Sequence, residues 1–188
     1  QAYFKNCFID GNTDYIFGGG DVLFDACELS YYGYSNTQKG AYITAAADGS
    51  TTGYIFRNCY VSANDAWDVA AGYFGRPWRS SATVAFLNTK LQTKDTVTAV
   101  GWNSMSGARP EDANYQEYNT TVLGSGAADV SARTAGTVKN ENPYADIVQT
   151  FKGWQPFYFV QETDTAVTVK DIAIEGELKT GSVLKALY

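Results

Sequence analysis

A short hydrophobic pattern recurs along the chain and predicts stacked β-strands. Three copies read aromatic, two polar or small residues, Cys, any residue, aliphatic, namely FKNCFI from Phe4, FDACEL from Phe24 and FRNCYV from Phe56. Two looser copies with Thr in the Cys slot begin at Phe86 (FLNTKL) and Tyr118 (YNTTVL). The leading aromatics are 20, 32, 30 and 32 residues apart, and Gly, Asn and Asp turns separate the units. The pattern predicts an all-β fold, a right-handed parallel β-helix whose equivalent residues form ladders in the core.

The three cysteines fall on one position of this repeat. In such a solenoid Cys7, Cys27 and Cys59 form one internal column of small apolar groups. We favour this interpretation over a catalytic thiol because Thr89 and Thr121 take the same slot further along the chain. The spacings are too wide for CxxC metal or redox chemistry, and three is an awkward number for a disulfide framework.

Several segments depart from the repeat. Residues 11–21 and 70–81 are predicted to be loops that leave the coil, and residues 124–150 are predicted to form a surface loop and a capping segment. Residues 151–156 resemble a closing turn, and residues 166–169 and 172–174 alternate like strands. We therefore assign residues 1–157 to the β-helix and residues 158–188 to a packing tail or the start of a further module.

The composition excludes several classes of function. The chain has no histidine, which removes the usual general base, the commonest metal ligand and every Ser-His triad. Its net charge of −6 argues against nucleic acid or an anionic membrane as a partner, but not against a neutral polymer. No apolar run is long enough to span a bilayer, which favours a soluble protein. Catalysis then depends on carboxylate, Lys, Tyr or Cys side chains.

Two blocks carry candidate chemistry. Asp14 lies between glycines and aromatic residues, a setting that can tune a carboxylate, although an Asx-type turn explains the same pattern. Arg76 precedes Pro77, which biases its backbone toward an extended conformation, and Trp78 offers a flat apolar face. An ordinary surface ion pair is the competing interpretation for Arg76. Counted along the repeat, Asp14 and Arg76 project from the same side of the solenoid, and an arginine fork beside a carboxylate suits a nucleophile.

These blocks carry a family resemblance. Residues 11–18 (GNTDYIFG) resemble the G-x-x-D-[FY]-I-F-G signature of pectin methylesterases, and residues 74–78 (FGRPW) resemble their L-G-R-P-W signature. Residues 41–45 (AYITA), 101–107 (GWNSMSG) and 117–119 (EYN) are similar to three weaker family segments in the same order. The resemblance covers about residues 1–157, and Met105 is similar to the bacterial branch.

The resemblance implies a function. A member of this family is a secreted, extracellular β-helix enzyme that removes methyl groups from esterified polygalacturonate (pectin) and releases methanol, with no metal and no other cofactor. On this resemblance Asp14 attacks the ester carbonyl and forms a covalent acyl intermediate, while Arg76 bonds Asp14 and keeps it charged. The residues implied to line the sugar-binding groove are Phe17, Trp78, Trp102 and Met105.

The chain also departs from the family pattern. In the family, a second aspartate in a Gln-Asp-Thr segment, about twenty residues before the nucleophile, protonates the leaving methanol, and glutamines bind the oxyanion. That position falls before Gln1. We therefore expect an N-terminally incomplete β-helix, the C-terminal part of a longer esterase, that is close to inactive alone. We also expect an open coil edge that associates with another segment or chain.

Two alternatives remain at this stage. One is another pectin-active β-helix enzyme, either a lyase, for which the GGGD sequence at residues 18–21 is a weak calcium-turn candidate, or a polygalacturonase with paired carboxylates. The other is a non-catalytic carbohydrate-binding solenoid. A calcium-dependent unsaturated product distinguishes the lyase, and binding without hydrolysis distinguishes the binding module.

Overall fold

The computed structural model describes residues 1–34, 40–64 and 71–154. The strands predicted at 166–169 and 172–174, and the whole of the assigned tail at 158–188, lie outside the described residues.

Three parallel sheets wind into a β-helix. Sheet A holds β1 (Ala2–Lys5), β4 (Val22–Asp25), β7 (Tyr54–Arg57), β10 (Thr83–Leu87) and β12 (Asn114–Tyr118). Sheet B holds β2 (Phe8–Gly11), β5 (Glu28–Tyr31), β8 (Tyr60–Ala63), β11 (Lys90–Leu91) and β13 (Thr121–Val122), with β14 (Gly126–Ala127) antiparallel at its edge. Sheet C holds β3 (Thr13–Gly18), β6 (Gly40–Ala46) and β9 (Ala71–Gly75). Each coil passes through the sheets in turn, and the predicted right-handed parallel β-helix is confirmed.

The leading aromatics of the repeat form a stack inside the coils. The register of sheet A places Phe4, Phe24, Phe56 and Phe86 at equivalent positions on neighbouring strands. Their ring centroids are 5.1, 4.5 and 4.4 Å apart in succession, with interplanar angles of 8 to 11°. The repeat read from the sequence is therefore the inward face of sheet A, and ring stacking fixes the register of the coils.

The fifth copy of the repeat is displaced by one residue from its predicted position. Phe86, the last aromatic of the stack, pairs with Glu117 and not with Tyr118. Consequently Thr120, not Thr121, occupies the slot equivalent to the cysteines, and Thr120 is buried. A charged residue is tolerated at the aromatic position because Arg133 pairs with the Glu117 carboxylate at 2.8 Å.

The cysteines form the predicted internal column. Cys27 and Cys59 are buried and Cys7 is half-buried, and all three are free thiols. The Cys59 Sγ donates to the backbone carbonyl of Phe24 on the preceding coil at 3.7 Å. The thiols therefore fill the corner between sheets A and B as small apolar groups.

Each corner between sheets A and B carries one residue with a left-handed backbone. Asn6, Asn58, Asn88 and Asn119 have φ between 52° and 56°, and Ala26 has φ of 53° at the equivalent corner. The amide of Asn88 donates to Asn58 Oδ1 at 3.2 Å, and the amide of Asn119 donates to Asn88 Oδ1 at 2.9 Å. Asparagine suits these corners because it tolerates this conformation and bonds its neighbours along the coil axis.

The two segments predicted to be loops contain two of the three strands of sheet C. Within residues 11–21 lies β3, and within residues 70–81 lies β9. The prediction was wrong because these strands lack the aromatic and cysteine positions of the repeat. Sheet C pairs as β3–β6–β9, so the two candidate blocks lie on one sheet, separated by a single strand.

The predicted capping segment packs along the flank of the solenoid. Helix α1 (Ile147–Thr150) follows Asp146, whose carboxylate accepts from the Gln149 backbone N–H at 2.9 Å. The side chains of Ile147 and Phe151 pack against the outward face of sheet A, and the cluster they complete contains Leu23, Ile55, Ala85 and Leu87. Sheet A is thus apolar on both faces, and α1 shields its outer one. Within the part of the chain that the structure describes, no helix is long and apolar enough to cross a membrane.

Candidate active site

Asp14 lies at an irregularity in β3. The register between β3 and β6 shifts between Thr13 and Ile16, so the Asp14–Tyr15 pair forms a bulge in the strand. Asp14 has φ of 53°, a left-handed conformation that few residues other than glycine, asparagine and aspartate adopt. A bulge redirects a side chain out of the regular alternation. The irregularity explains how the Asp14 carboxylate turns toward the outside of the coil while the next residue, Tyr15, packs against the core.

Tyr15 explains the glycine that begins the first signature. A Cβ added at Gly11 would lie 2.4 Å from Tyr15 Cβ, so only glycine allows Tyr15 to pack inward at this point. Burial, and secondarily the charge of Asp10, raises the pKa of Tyr15 well above its ordinary value. The phenol therefore stays protonated near neutral pH and is not a candidate base.

Arg76 forms a two-point contact with Asp14. Its Nε donates to Asp14 Oδ1 at 2.9 Å and its Nη2 donates to Asp14 Oδ2 at 2.8 Å. The side chains of Arg76 and Asp14 are 22% and 18% exposed, so the pair is partly shielded from water. The hydrogen bond to Asp14 is the main cause that raises the pKa of Arg76. The predicted contact is therefore present, and it has the parallel geometry of a strong arginine–carboxylate pair.

Asp14 is the charged residue in a mostly apolar cleft. The cleft has a volume of about 290 Å³. The Phe17 and Trp78 side chains are 68% and 38% exposed, and their rings approach edge to face with centroids 6.5 Å apart. Asp14 is the only ionisable side chain among the described residues that line the cleft, which are Thr13, Asp14, Phe17, Ala45, Trp78 and Met105. Three of the four predicted groove residues are thus placed together.

Trp102 does not join them. It is only 2% exposed, and its ring stacks on Tyr115 at 4.2 Å and packs against Phe74 at 5.5 Å. The backbone at Trp102 continues sheet C through a bridge to Gly75, which turns the indole into the core. We correct the prediction accordingly: Trp102 supports the coil beneath the cleft and does not line it.

Sequence reasoning assigned no role to Tyr42, although the residue lies in one of the weaker matching segments. The Arg76 Cζ lies 4.0 Å from the centroid of the Tyr42 ring. Tyr42 lies on β6, between the strand that carries Asp14 and the strand that precedes Arg76. The pairing of sheet C was the missing information, since the segment's sequence alone does not show which strands flank it.

The candidate calcium turn has another role. Asp21 Oδ1 accepts the backbone N–H groups of Thr52 at 2.6 Å and Gly53 at 3.0 Å. The carboxylate therefore ties its own turn to the next coil through two backbone hydrogen bonds. The turn at residues 18–21 is explained without a cation.

The fold and the cleft define the chain as a parallel β-helix protein with an arginine-held carboxylate in an apolar groove. The family model Pectinesterase matches residues 1–149, and the chain belongs to this family. It is 38% identical over 138 residues to Probable pectinesterase A of Neosartorya fischeri, covering 71% of this chain and 38% of that protein. It is 35% identical over 136 residues to Pectinesterase A of Emericella nidulans, covering 70% and 38%. Both relatives are fungal, so the bacterial branch stays a prediction.

A solved structure agrees with the fold. The structure of the pectin methylesterase from Aspergillus niger superposes with a TM-score of 0.63 at 31% sequence identity, covering 80% of this chain and 46% of that one. The chain thus spans less than half the length of these curated relatives and of this solved structure.

Proposed function

We propose that this chain forms part of a carboxylic ester hydrolase that demethylates methyl-esterified polygalacturonate, with Asp14 as the nucleophile. The observation that carries the proposal is the two-point contact between Arg76 and Asp14 at the base of an apolar cleft. A carboxylate held in one orientation, with apolar walls that partly shield it from water, suits attack on a neutral ester. The family membership supports the same reaction.

The proposed reaction has two steps. An Asp14 carboxylate oxygen attacks the C6 ester carbonyl carbon, and the C–O bond to the methoxy group breaks as methoxide takes a proton and leaves as methanol. Water then attacks the resulting anhydride, which gives the free galacturonate carboxylate, restores the Asp14 carboxylate and releases two protons, one of which replaces the proton that methoxide took up. Arg76 holds the Asp14 carboxylate in position throughout. Phe17, Trp78 and Met105 contact the sugar and the methyl group.

We further propose that pectin outside the cell is the substrate and that the protein is secreted. The relatives named pectinesterase support the substrate class. Exposed aromatic faces such as Trp78 suit a polysaccharide, whose sugar rings present flat apolar surfaces. The net charge of −6 does not hinder the approach of a highly methylated, nearly neutral polymer, whereas it repels a demethylated, acidic product.

The proton donor for methanol comes, in this proposal, from outside the described cleft residues. None of them other than Asp14 carries an ionisable group. Loss of proton transfer costs about 10²- to 10⁴-fold in rate. We therefore expect the 188-residue chain, produced on its own, to be close to inactive.

The end of the solenoid at β1, β2 and β3 supports a proposal about assembly. Phe4 and Phe8 are 41% and 62% exposed there, and a shallow apolar hollow of about 660 Å³ lies across the strands. A further strand-bearing segment that pairs with this edge would extend the phenylalanine stack. We propose residues 1–157 as β-helix coils that accept such a segment.

Product analysis tests the proposed reaction. The full-length protein, meaning the longer hydrolase of which this chain is proposed to form a part, is incubated with methylated and demethylated polygalacturonate. Methanol, unsaturated ends and reducing ends are measured together. We expect methanol from the methylated polymer, with no change in the other two products and no effect of a chelator. Unsaturated ends that require calcium would favour a lyase, and new reducing ends would favour a polygalacturonase. Binding to pectin with no product from either polymer would favour the carbohydrate-binding module.

A further inference from the structure

The guanidinium of Arg76 has two different neighbours, one at its edge and one at its face. Its edge donates both hydrogen bonds to Asp14, at 2.9 and 2.8 Å. Its face lies over the Tyr42 ring, 4.0 Å from the ring centroid. The edge contact alone leaves the fork free to tilt about the Asp14 carboxylate, whereas a ring against the face restricts that tilt. A cation over an aromatic face is also attracted by the electron-rich ring.

The Tyr42 ring is itself held on two sides. It stacks on Tyr73 of the next coil, with centroids 5.0 Å apart and an interplanar angle of 13°. Its hydroxyl accepts a hydrogen bond from Asn103 Nδ2 at 3.0 Å, and the Asn103 backbone N–H donates to the carbonyl of Gly75 at 3.1 Å. The ring is thus fixed by Tyr73 on β9 and by Asn103 on the coil beyond it. A ring held in this way is a rigid support and not a mobile surface side chain.

The position of Tyr42 in sheet C makes the support necessary. Arg76 follows β9 and Asp14 lies on β3, so the arginine side chain must cross β6 to reach the carboxylate. Two strand spacings amount to about 9.6 Å. Tyr42 lies on the strand that is crossed, and its backbone N–H donates to the Asn12 carbonyl at 2.9 Å. The long arginine side chain therefore runs over the Tyr42 ring on its way to Asp14.

We propose that Tyr42 is a positioning residue, whose ring holds the Arg76 guanidinium in the plane that presents both N–H donors to Asp14, with Asn103 fixing the ring. The proposal rests on the proposed function, since it assigns Tyr42 to the support of the same nucleophile. Tyr42 acts through Arg76 and makes no contact with the reacting ester. Loss of its ring therefore lowers turnover and leaves substrate binding nearly unchanged.

Kinetics of three variants of the full-length protein test this role. For Tyr42→Leu we expect kcat to fall about five- to tenfold with KM within twofold. Tyr42→Phe retains the ring face and loses only the bond to Asn103, so we expect kcat within about threefold of the parent. The matched control is Tyr118→Leu, which removes a half-buried tyrosine packed beside the Leu87 cluster on β12. It should leave both constants unchanged.

A crystal structure of Tyr42→Leu gives a readout that does not depend on activity. We expect at least one of the two Arg76–Asp14 hydrogen bonds to be lost. Both bonds retained at their parent lengths, or Tyr42→Leu turnover equal to that of Tyr118→Leu, would overturn the positioning role and leave the proposed reaction intact. If Tyr42→Leu does not fold, Tyr42→Met, which fills a similar volume without a ring, is judged by the same two outcomes. If the unsubstituted full-length protein releases no methanol, the proposed function is overturned. The crystal structure of Tyr42→Leu still decides, in that case, whether Tyr42 orders Arg76.

Discussion

Asp14 and Arg76 are 62 positions apart in the sequence and meet through two parallel hydrogen bonds across an intervening strand. The contact is a consequence of coil stacking, because the strand of Asp14 and the strand that precedes Arg76 flank β6 in sheet C. A bulge at Asp14 and a long side chain at Arg76 complete it. The pair therefore depends on the geometry of three coils and not on a local motif.

Replacing Arg76 with lysine tests the importance of the two-point contact. A lysine ammonium keeps the charge but cannot donate two parallel bonds to one carboxylate. We expect Arg76→Lys to lower kcat of the full-length protein by about 10- to 100-fold, measured as methanol release from methylated polygalacturonate. Arg109→Lys is the matched control, because Arg109 makes a similar fork to Asp112 at 2.9 and 3.0 Å on the surface. Equal activity of the two variants would show that the charge alone is sufficient.

The corner at Ala26 offers a stabilising substitution. Ala26 has φ of 53°, whereas the equivalent corners at Asn58 and Asn88 carry asparagines joined by an amide hydrogen bond. We expect Ala26→Asn to increase the free energy of unfolding by about 0.5–1.5 kcal/mol, because asparagine tolerates the left-handed backbone and adds a bond to the ladder. Urea unfolding measures the change. Ala132→Asn, at an exposed turn position outside the ladder, should have no effect, and a destabilised Ala26→Asn would contradict the ladder's role.

The repeat in the sequence predicted sheets A and B because their inward residues carry large and distinctive side chains. Phe4, Phe24 and Phe56 mark one sheet, and the cysteines mark the corner that leads to the next. Sheet C was missed because its strands show no such repeat, and the bulge at Asp14 breaks the alternation that identifies a strand. Sequence patterns report regular positions, so the irregular position that forms the site looked like a loop.

The site was only partly predictable for a related reason. Asp14 and Arg76 stand out because charged residues among aromatics and glycines are unusual, and their contact followed from counting coils. A tryptophan gives no such guidance: Trp78 is exposed in the cleft and Trp102 is buried in the core, although each is followed by a polar residue. Which side of the coil each faces is set by strand pairing.

The buried ion pair between Arg133 and Glu117 should be sensitive to the loss of one partner. Arg133 and Glu117 side chains are 3% and 1% exposed, and Arg133 also donates to the carbonyls of Thr98 and Ala99. Arg133→Met leaves the Glu117 carboxylate buried without its partner, and we expect a loss of about 3–5 kcal/mol in the free energy of unfolding. Glu117→Leu combined with Arg133→Met should be less destabilised than the sum of the single variants, as measured by urea unfolding. Additive losses would show that the two side chains do not stabilise one another.

The cysteine column should matter for stability and not for turnover. Cys59 is 1% exposed and packs between coils, so we expect Cys59→Ala to cost about 1 kcal/mol in unfolding free energy. Methanol release at saturating substrate should be unchanged. In the folded protein, alkylation should modify the half-buried Cys7 before the other two thiols, as mass spectrometry of the peptides can record. Loss of activity on alkylation of Cys7 alone would contradict a purely structural column.

The central claim is that Asp14 is the nucleophile, and the rate of methanol release by the Asp14→Ala variant of the full-length protein tests it most directly. We predict a loss on the order of 10³-fold or more in kcat, with binding of methylated polygalacturonate retained. Asp112→Ala, which removes the carboxylate of the surface pair with Arg109, serves as the control and should keep the parent rate. Methanol release by Asp14→Ala within tenfold of the parent would contradict the account.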